Sequence, residues 1–215
     1  MKWSQQVWQQ AQPIYQAILD HPFVAELAAG TLTRQRFMFY ISQDSIYVGN
    51  YCRVLLHIAS RLADSSHRKA FIDFAADGIA VEQSLHESYL ADDSIARSTQ
   101  PSPACLLYTS FESAQGFEPV EVEAAAILPC FWIYHETGQS ILTKASDANP
   151  YHRWIATYAD EAFARSTRLA IDICDTLAEN TTPAIRQQMT RAFLTAARME
   201  WLFWDSAYNM QQWKI

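Results

Sequence analysis

Apolar residues recur along this chain at the three- and four-residue intervals of helices that pack against a core. The first such segment covers residues 3–19, where the apolar positions are Trp3, Val7, Ala11, Ile14 and Ile18. These positions lie on one face of an α-helix. Long segments rich in Ala, Gln, Glu, Leu and Arg, with only five glycines in the whole chain, also favour helix. The pattern therefore predicts an all-α protein.

Clusters of Gly, Pro, Asn, Asp and Ser separate the helical segments, as turn formers do. They occur at residues 20–23, 29–33, 92–103, 116–119, 147–151 and 180–183. None of these breaks is long enough to be a linker between two domains. The 215 residues, half of them hydrophobic, are enough for one sizeable core. We therefore expect a single domain, residues 1–215, in which about seven or eight helices form a bundle.

The third helical segment carries a carboxylate on its apolar face. That face consists of Phe37, Ile41, Asp44, Val48, Tyr51, Leu55 and Ile58. Steps of three and four residues put all of them on one side of a helix. A carboxylate buried there loses its hydration, so Asp44 needs a hydrogen-bond partner or a ligand. Tyr47, three residues further on, is close enough to place a phenol in the same space.

The last helical segment repeats this anomaly with Glu200. Its inward face consists of Phe193, Ala197, Glu200, Trp204 and Tyr208. A single buried carboxylate is also explained by an internal salt bridge or a hydrogen bond between helices. Two buried carboxylates on different helices favour a shared polar cavity over two unrelated salt bridges or hydrogen bonds.

A cysteine follows a proline in the helical segment "ILPCFWIYHETG", residues 127–138. Pro129 cannot donate to the carbonyl of Ala125, so we expect a kink and a free backbone acceptor just before Cys130. Cys130 shares an inward face with Ile127, Tyr134 and Ile141. A free cysteine of this kind is either a small buried hydrophobe or, beside the two carboxylates, a reactive thiol in the cavity.

Charge and composition restrict the partners of the protein. A net charge of −7 and a pI near 5.3 oppose binding to nucleic acid or to an anionic membrane, since both attract basic surfaces. The N-terminus lacks the apolar core of a signal peptide, and no apolar stretch is long enough to span a bilayer. We therefore expect a cytoplasmic protein.

The sequence contains little evidence for a metal. The four cysteines show no CxxC spacing, so neither a zinc site nor a redox motif is indicated. Glu82 and His86 are four residues apart and could share a metal, but a solvated or capping pair has the same spacing. We expect no metal and no cofactor.

Six segments, in the same order and at matching intervals, resemble the thiaminase II family, also called the TenA or aminopyrimidine aminohydrolase family. They are "HPFVAELAAGTL" (21–32), "FYISQDSIYVGNYCR" (39–53), "LYTSF" (107–111), "ILPCFWIYHETG" (127–138), "RWIATYADEAF" (153–163) and "MEWLFWDSAY" (199–208). The resemblance implies an all-helical, haem-oxygenase-like fold without haem, usually a homotetramer. It also implies hydrolysis of thiamin-derived aminopyrimidines, and of thiamin, to 4-amino-5-hydroxymethyl-2-methylpyrimidine for salvage.

The resemblance also implies roles for individual residues. Cys130 matches the nucleophile, Glu200 the proton donor and acceptor at the ring nitrogen, and Asp44 the anchor of the amino edge of the pyrimidine. Tyr47, Tyr108, Tyr134 and Tyr158 match pocket tyrosines, and Phe203 matches a wall residue. A cysteine in the "PC" helix is typical of the conventional branch of the family.

Two alternatives to this enzyme stay open on the sequence. One is a pyrimidine- or thiamin-binding protein without activity that uses the same pocket. The other is a metal-dependent oxidase on the same helical scaffold, with Glu82 and His86 as ligands.

Overall fold

A computed structural model describes residues 1–90 and 100–214, without the side chains of residues 82, 84–88 and 90. In this part of the chain there are nine α-helices, one 3-10 turn and no strand. The helices are α1 (Trp3–Leu19), α2 (Pro22–Ala29), α3 (Arg34–Arg61), α4 (Ser65–Leu90), α5 (Pro103–Ala114), α6 (Val120–Leu142), α7 (His152–Ala159), α8 (Glu161–Glu179) and α9 (Pro183–Asn209). The all-α prediction is confirmed, but the predicted number of helices is too low.

Two helix boundaries were not among the predicted breaks, and both lack glycine and proline. Between α3 and α4, the Asp64 carboxylate accepts from the backbone N–H groups of Ser66 (2.8 Å) and His67 (2.9 Å). Between α7 and α8, Asp160 adopts an extended conformation and its side chain accepts from the N–H of Ala162. An aspartate cap satisfies the free N–H groups at the start of a helix, so a single residue is enough to end one helix and begin the next.

Helices α3, α6 and α9 form the centre of the bundle. Helix α6 packs against α7, α8 and α9, while α3 packs against α4, α5 and α9. Both α6 and α9 carry fully buried alanines, Ala124–Ala126 and Ala196–Ala197, and small side chains allow helix axes to approach closely. No helix in the described ranges is both long and apolar enough to cross a membrane.

The two carboxylates on the predicted inward faces are buried. Asp44 is 3% exposed and Glu200 is 1% exposed. Periodicity predicted which helix face each carboxylate lies on, and the structure shows how deeply each is buried. Helix α6 continues through Pro129 from Val120 to Leu142. Next to this proline, the Tyr51 hydroxyl of α3 donates to the carbonyl of Ile127 (3.0 Å). This carbonyl lies two residues after the one that we expected to be free.

Gly138 allows α7 to lie directly on α6. A Cβ atom at this position would be 2.9 Å from the carbonyl carbon of Tyr158 and 3.0 Å from its Cβ, closer than van der Waals contact permits. The short helix α7 therefore packs against α6 at the position where Gly138 has no side chain. As a result, the Tyr158 ring lies next to Tyr134, with 5.0 Å between ring centroids.

Candidate active site

A cavity of about 630 Å³ lies among α3, α4, α6, α7 and α8. Its walls include Tyr51, Cys130, Phe131, Tyr158 and Phe163. A volume of this size, with mostly apolar and aromatic walls, is typical of a site for a small organic ligand. The charged side chains of Asp77, Arg153 and Asp160 also line it, so the cavity can contact polar groups as well as a flat ring.

Cys130 is the partly exposed cysteine of the chain, whereas Cys52, Cys105 and Cys174 are buried. Burial raises the pKa of the Cys130 thiol well above its usual value, and the nearby charges of Glu200 and Glu112 raise it further. A hydrogen bond with Tyr47 acts in the opposite direction. The resting side chain is therefore a neutral thiol, and it needs a proton acceptor before it can act as a nucleophile.

Glu200 lies on the central turns of α9, and its Oε1 accepts a hydrogen bond from the Tyr108 hydroxyl (2.7 Å). Burial raises the pKa of Glu200 from its usual 4.5 to about 8, the hydrogen bond from Tyr108 lowers it, and the charge of Asp44 raises it. Most Glu200 side chains are thus protonated at neutral pH. Such a carboxyl can donate a proton to a bound base and take it back.

Asp44 belongs to a second polar group, centred on Tyr40. The Tyr40 hydroxyl donates to Asp44 Oδ1 (3.3 Å) and accepts from the indole N–H of Trp154 (3.3 Å). The hydroxyl oxygen of Tyr134 lies 3.4 Å from that of Tyr40. A network of side chains on α3, α6 and α7 thus fixes Asp44, which was predicted to need a partner.

The predicted aromatic residues form two contacting pairs and a wall. Tyr47 lies 4.8 Å from Tyr108 and 5.7 Å from Phe203, measured between ring centroids. Tyr134 and Tyr158 form the second pair, and Tyr158 also lines the cavity. The structure therefore brings all eight predicted residues into one region, where Cys130 and Tyr158 line the open cavity.

Three residues of this region were not predicted as part of the site: Tyr40, Tyr51 and Glu112. Glu112 is completely buried, and its Oε1 accepts from the Tyr47 hydroxyl (2.8 Å). Burial raises the pKa of Glu112 well above its usual value. The signal for it was present, because Glu112 follows Tyr108 by four residues and thus shares its helix face.

No group of three or more His, Cys, Asp and Glu side chains in the described part of the chain is placed to hold a metal ion. The Glu82 and His86 side chains lie outside the described residues, so the pair proposed for the oxidase alternative is not tested by the structure.

Comparison with known proteins places the chain among relatives of similar length and among domains of larger proteins. The model of the TENA/THI-4/PQQC family matches residues 8–210. An aminopyrimidine aminohydrolase from Bacillus subtilis is 30% identical over 99% of this chain and 92% of its own length. The thiamine biosynthesis multifunctional protein ThiED from Corynebacterium glutamicum is 35% identical over 94% of this chain. The chain spans about a quarter (26%) of the length of that ThiED protein.

Solved structures confirm the predicted fold. A TenA homologue from P. horikoshii OT3 superimposes with a TM-score of 0.85 at 24% identity, over 97% of this chain and 99% of its own. A domain of unknown function with a heme oxygenase-like fold from Shewanella denitrificans OS217 has a TM-score of 0.76 at 12% identity, over 96% of this chain and 92% of its own. At these identities the likeness concerns the fold alone.

Proposed function

Because the chain belongs to the TENA/THI-4/PQQC family, we propose that it is an aminopyrimidine aminohydrolase, or thiaminase II, a hydrolase of C–N bonds. Its substrates are 4-amino-5-aminomethyl-2-methylpyrimidine and thiamin, and its pyrimidine product is 4-amino-5-hydroxymethyl-2-methylpyrimidine, in thiamin salvage. The names of full-length relatives such as the B. subtilis protein support the reaction class.

The observation that carries this proposal is a thiol on the cavity wall with a protonated carboxyl near it in the core. Cys130 lines the cavity wall, and it is close enough to Glu200 for that charge to raise the pKa of the thiol. Burial gives Glu200 a pKa of about 8. A nucleophile and an acid that hold their protons in the resting state suit covalent catalysis on an aromatic ring that must be protonated as it is attacked.

The reaction begins when the Cys130 sulfur adds to the ring carbon next to the substituted one. Its S–H bond breaks in this step, and the thiol proton passes to the Glu200 carboxylate as the proton of Glu200 goes to the ring. The C–S bond forms as Glu200 gives its proton to the ring nitrogen, so negative charge does not accumulate on the ring. The lone pair of the 4-amino group then expels the amine or the thiazole from the methylene carbon. Water adds to this exposed methylene, the sulfur leaves, and the aromatic ring and the Glu200 proton are restored.

Asp44 and the tyrosines orient the ring for this sequence. Asp44 accepts a hydrogen bond from the 4-amino group, and a carboxylate acceptor favours the polarised form in which that group expels the leaving amine. Tyr47, Tyr108, Tyr134 and Tyr158 stack on the flat pyrimidine or hydrogen-bond at its edge, and Phe203 is part of the wall. No cofactor enters any step.

The test is release of ammonia and hydroxymethylpyrimidine from the aminomethylpyrimidine, measured beside cleavage of thiamin. The parent protein should hydrolyse at least one of them, and Cys130→Ser should abolish turnover. Cys174→Ser is the matched control, since this buried thiol on α8 contacts the Ala124 carbonyl instead of the cavity. A Cys130→Ser protein that turns over substrate at the parent rate would contradict the assignment of Cys130 as the nucleophile. If the parent protein binds the pyrimidine or thiamin tightly but does not turn it over, the protein is a binding protein instead.

We also propose, from the same family resemblance, a single-domain, cytoplasmic homotetramer. Sedimentation equilibrium on the purified protein would measure the assembly, and a mass of one 24.5 kDa chain would contradict it.

A further inference from the structure

The Tyr40 hydroxyl of α3 lies at the centre of a buried hydrogen-bonded cluster whose members come from three helices. Its oxygen is 3.3 Å from Asp44 Oδ1, 3.3 Å from the indole nitrogen of Trp154 and 3.4 Å from the Tyr134 hydroxyl oxygen. Tyr40 and Trp154 are completely buried, and Tyr134 is 3% exposed. The proposed reaction gives no role to Tyr40, although this side chain contacts the residue that anchors the pyrimidine.

Aromatic contacts hold the Tyr40 ring in place. It stacks on Trp204 of α9, with 5.1 Å between the ring centroids and 10° between the ring planes. Trp154 and Phe203 contact it edge to face, each with 6.0 Å between centroids. A buried ring packed on three others cannot swing its hydroxyl away, so the Tyr40 oxygen has a fixed position beside Asp44.

The donor and acceptor roles in this cluster follow from the chemistry of its members. Burial raises the pKa of Tyr40 and of Tyr134 well above its usual value, so both hydroxyls keep their protons. An indole N–H only donates and a carboxylate only accepts, so Tyr40 accepts from Trp154 and donates to Asp44. Its single proton is then used, and the Tyr134 hydroxyl must donate to the second lone pair of the Tyr40 oxygen.

These roles determine what Tyr134 and Asp44 can offer to a ligand. Tyr134 follows Cys130 by one turn of α6 and lies on the same helix face. Because its proton is directed to Tyr40, the Tyr134 hydroxyl offers a ligand lone pairs and no proton, as the Asp44 carboxylate does. An exocyclic amino group brings two N–H donors to such acceptors, whereas an exocyclic oxygen at the same ring position brings only lone pairs.

We propose, resting on the function proposed above, that Tyr40 is a positioning residue that makes the site specific for 4-amino over 4-oxo pyrimidines. Its hydroxyl keeps Asp44 and Tyr134 as acceptors, and the two N–H groups of the 4-amino group donate to them. A 4-oxo pyrimidine of the same shape would place an oxygen against two acceptors, and polar groups left unpaired in a buried site disfavour binding. Tyr40 acts through these two side chains and touches no reacting atom.

The experiment measures dissociation constants for 4-amino-5-hydroxymethyl-2-methylpyrimidine and for its 4-oxo analogue by isothermal titration calorimetry. The parent should bind the amino compound more tightly, by about 10²-fold or more. In Tyr40→Phe this ratio should fall about tenfold, because Tyr134 loses its acceptor and can turn its proton towards the 4-oxo group. Tyr151→Phe is the matched control, since this buried hydroxyl donates to the Leu32 carbonyl, and it should leave the ratio unchanged.

The ratio separates specificity from a structural role, because a loosened site binds both compounds less tightly by a similar factor. An equal loss of affinity for the two compounds in Tyr40→Phe overturns the proposal, and so does a parent that does not distinguish them. If the parent binds neither compound, the proposed function fails as well. If the parent hydrolyses the aminomethylpyrimidine and Tyr40→Phe keeps the ratio, the specificity role alone is overturned.

A second variant, Tyr134→Phe, tests the direction of the hydrogen bonds even if Tyr40→Phe does not fold. It removes an acceptor from the amino compound, whose affinity should fall about tenfold. The 4-oxo compound should bind Tyr134→Phe at least as tightly as it binds the parent. Weaker binding of the 4-oxo compound would mean that Tyr134 donates to the ligand, which would overturn the proposal.

Discussion

The Tyr108 hydroxyl donates to Glu200 Oε1 at 2.7 Å, and this bond joins α5 to α9 inside the core. A donor to the charged form of a carboxyl stabilises that form. Tyr108 therefore limits how far burial raises the pKa of Glu200, which stands at about 8. The pair keeps the carboxyl protonated near neutral pH and still able to lose its proton.

Tyr108→Phe should move the falling limb of kcat against pH to higher pH. Removing the donor raises the pKa of Glu200 above its present value of about 8, and the acid then stays protonated over a wider range. The pH profile of turnover measures this directly. Tyr15→Phe, on the distant helix α1, is a control that should leave the limb in place. An unchanged limb in Tyr108→Phe would mean that Glu200 is not the acid.

The contribution of Glu200 to the free energy of unfolding should decrease as pH rises between about 4.5 and 8. The pKa of Glu200 is near 8 in the folded protein and 4.5 normally, so in this window the folded state binds more protons at this carboxyl than the unfolded state. The contribution is at most about 1.4 kcal/mol per pH unit. Urea unfolding of the parent and Glu200→Gln at three pH values would show it as a smaller slope in the variant. Equal slopes would contradict the raised pKa.

Gly138→Ala should displace α7 and impair substrate binding. The added methyl would lie 2.9 Å from the Tyr158 backbone, and overpacking of this kind destabilises by about 1–3 kcal/mol. We expect a lower melting temperature and a higher KM. A Gly138→Ala protein with normal KM would contradict the placement of Tyr158 in the site.

Gly49→Ala on α3 is the matched control for this substitution. A Cβ atom added at Gly49 would meet no atom of the described residues within 4 Å. Alanine in place of glycine inside a helix should stabilise the protein by about 0.5–1 kcal/mol, so its melting temperature should rise.

Asp44→Asn should raise KM about tenfold or more, since a hydrogen bond to a charged group contributes about 1.5–3 kcal/mol. Asparagine also removes the charge that favours the polarised 4-amino group, so kcat should fall as well. Steady-state kinetics with the aminomethylpyrimidine measures both effects. Asp73→Asn, an exposed carboxylate on α4 paired with Lys69, should change neither constant, and the same absence of change in Asp44→Asn would exclude it as the anchor.

Periodicity predicted the carboxylates of the site because they interrupt long apolar faces. Asp44 and Glu200 lie in the interior of helices of 28 and 27 residues, where one polar residue in a buried stripe is conspicuous. Glu112 lies near the end of a helix of 12 residues. So few turns define the inward face poorly, and an acidic residue near a helix end is usually solvated.

The boundaries that were missed have a similar local cause. Asp64 and Asp160 begin helices by accepting backbone hydrogen bonds with one side chain. Aspartate is common on exposed helix surfaces, so a single aspartate between two helical segments does not distinguish a cap from a surface residue. The breaks that contain Gly or Pro were predicted because these residues change the backbone itself.

The third helix carries Asp44, Tyr47 and Tyr51, and each of them meets a different partner: Tyr40, Glu112 and the Ile127 carbonyl. With a rise of about 1.5 Å per residue, the seven steps from Asp44 to Tyr51 cover roughly 10 Å. The helix therefore fixes the spacing of these three side chains along the site. Inserting a residue into α3 cannot widen this spacing without loss of the arrangement, because an insertion would rotate every later side chain by about 100° around the helix axis. In a relative with a bulkier substrate, we therefore expect α3 to change the size of the side chains on this face and to keep its length.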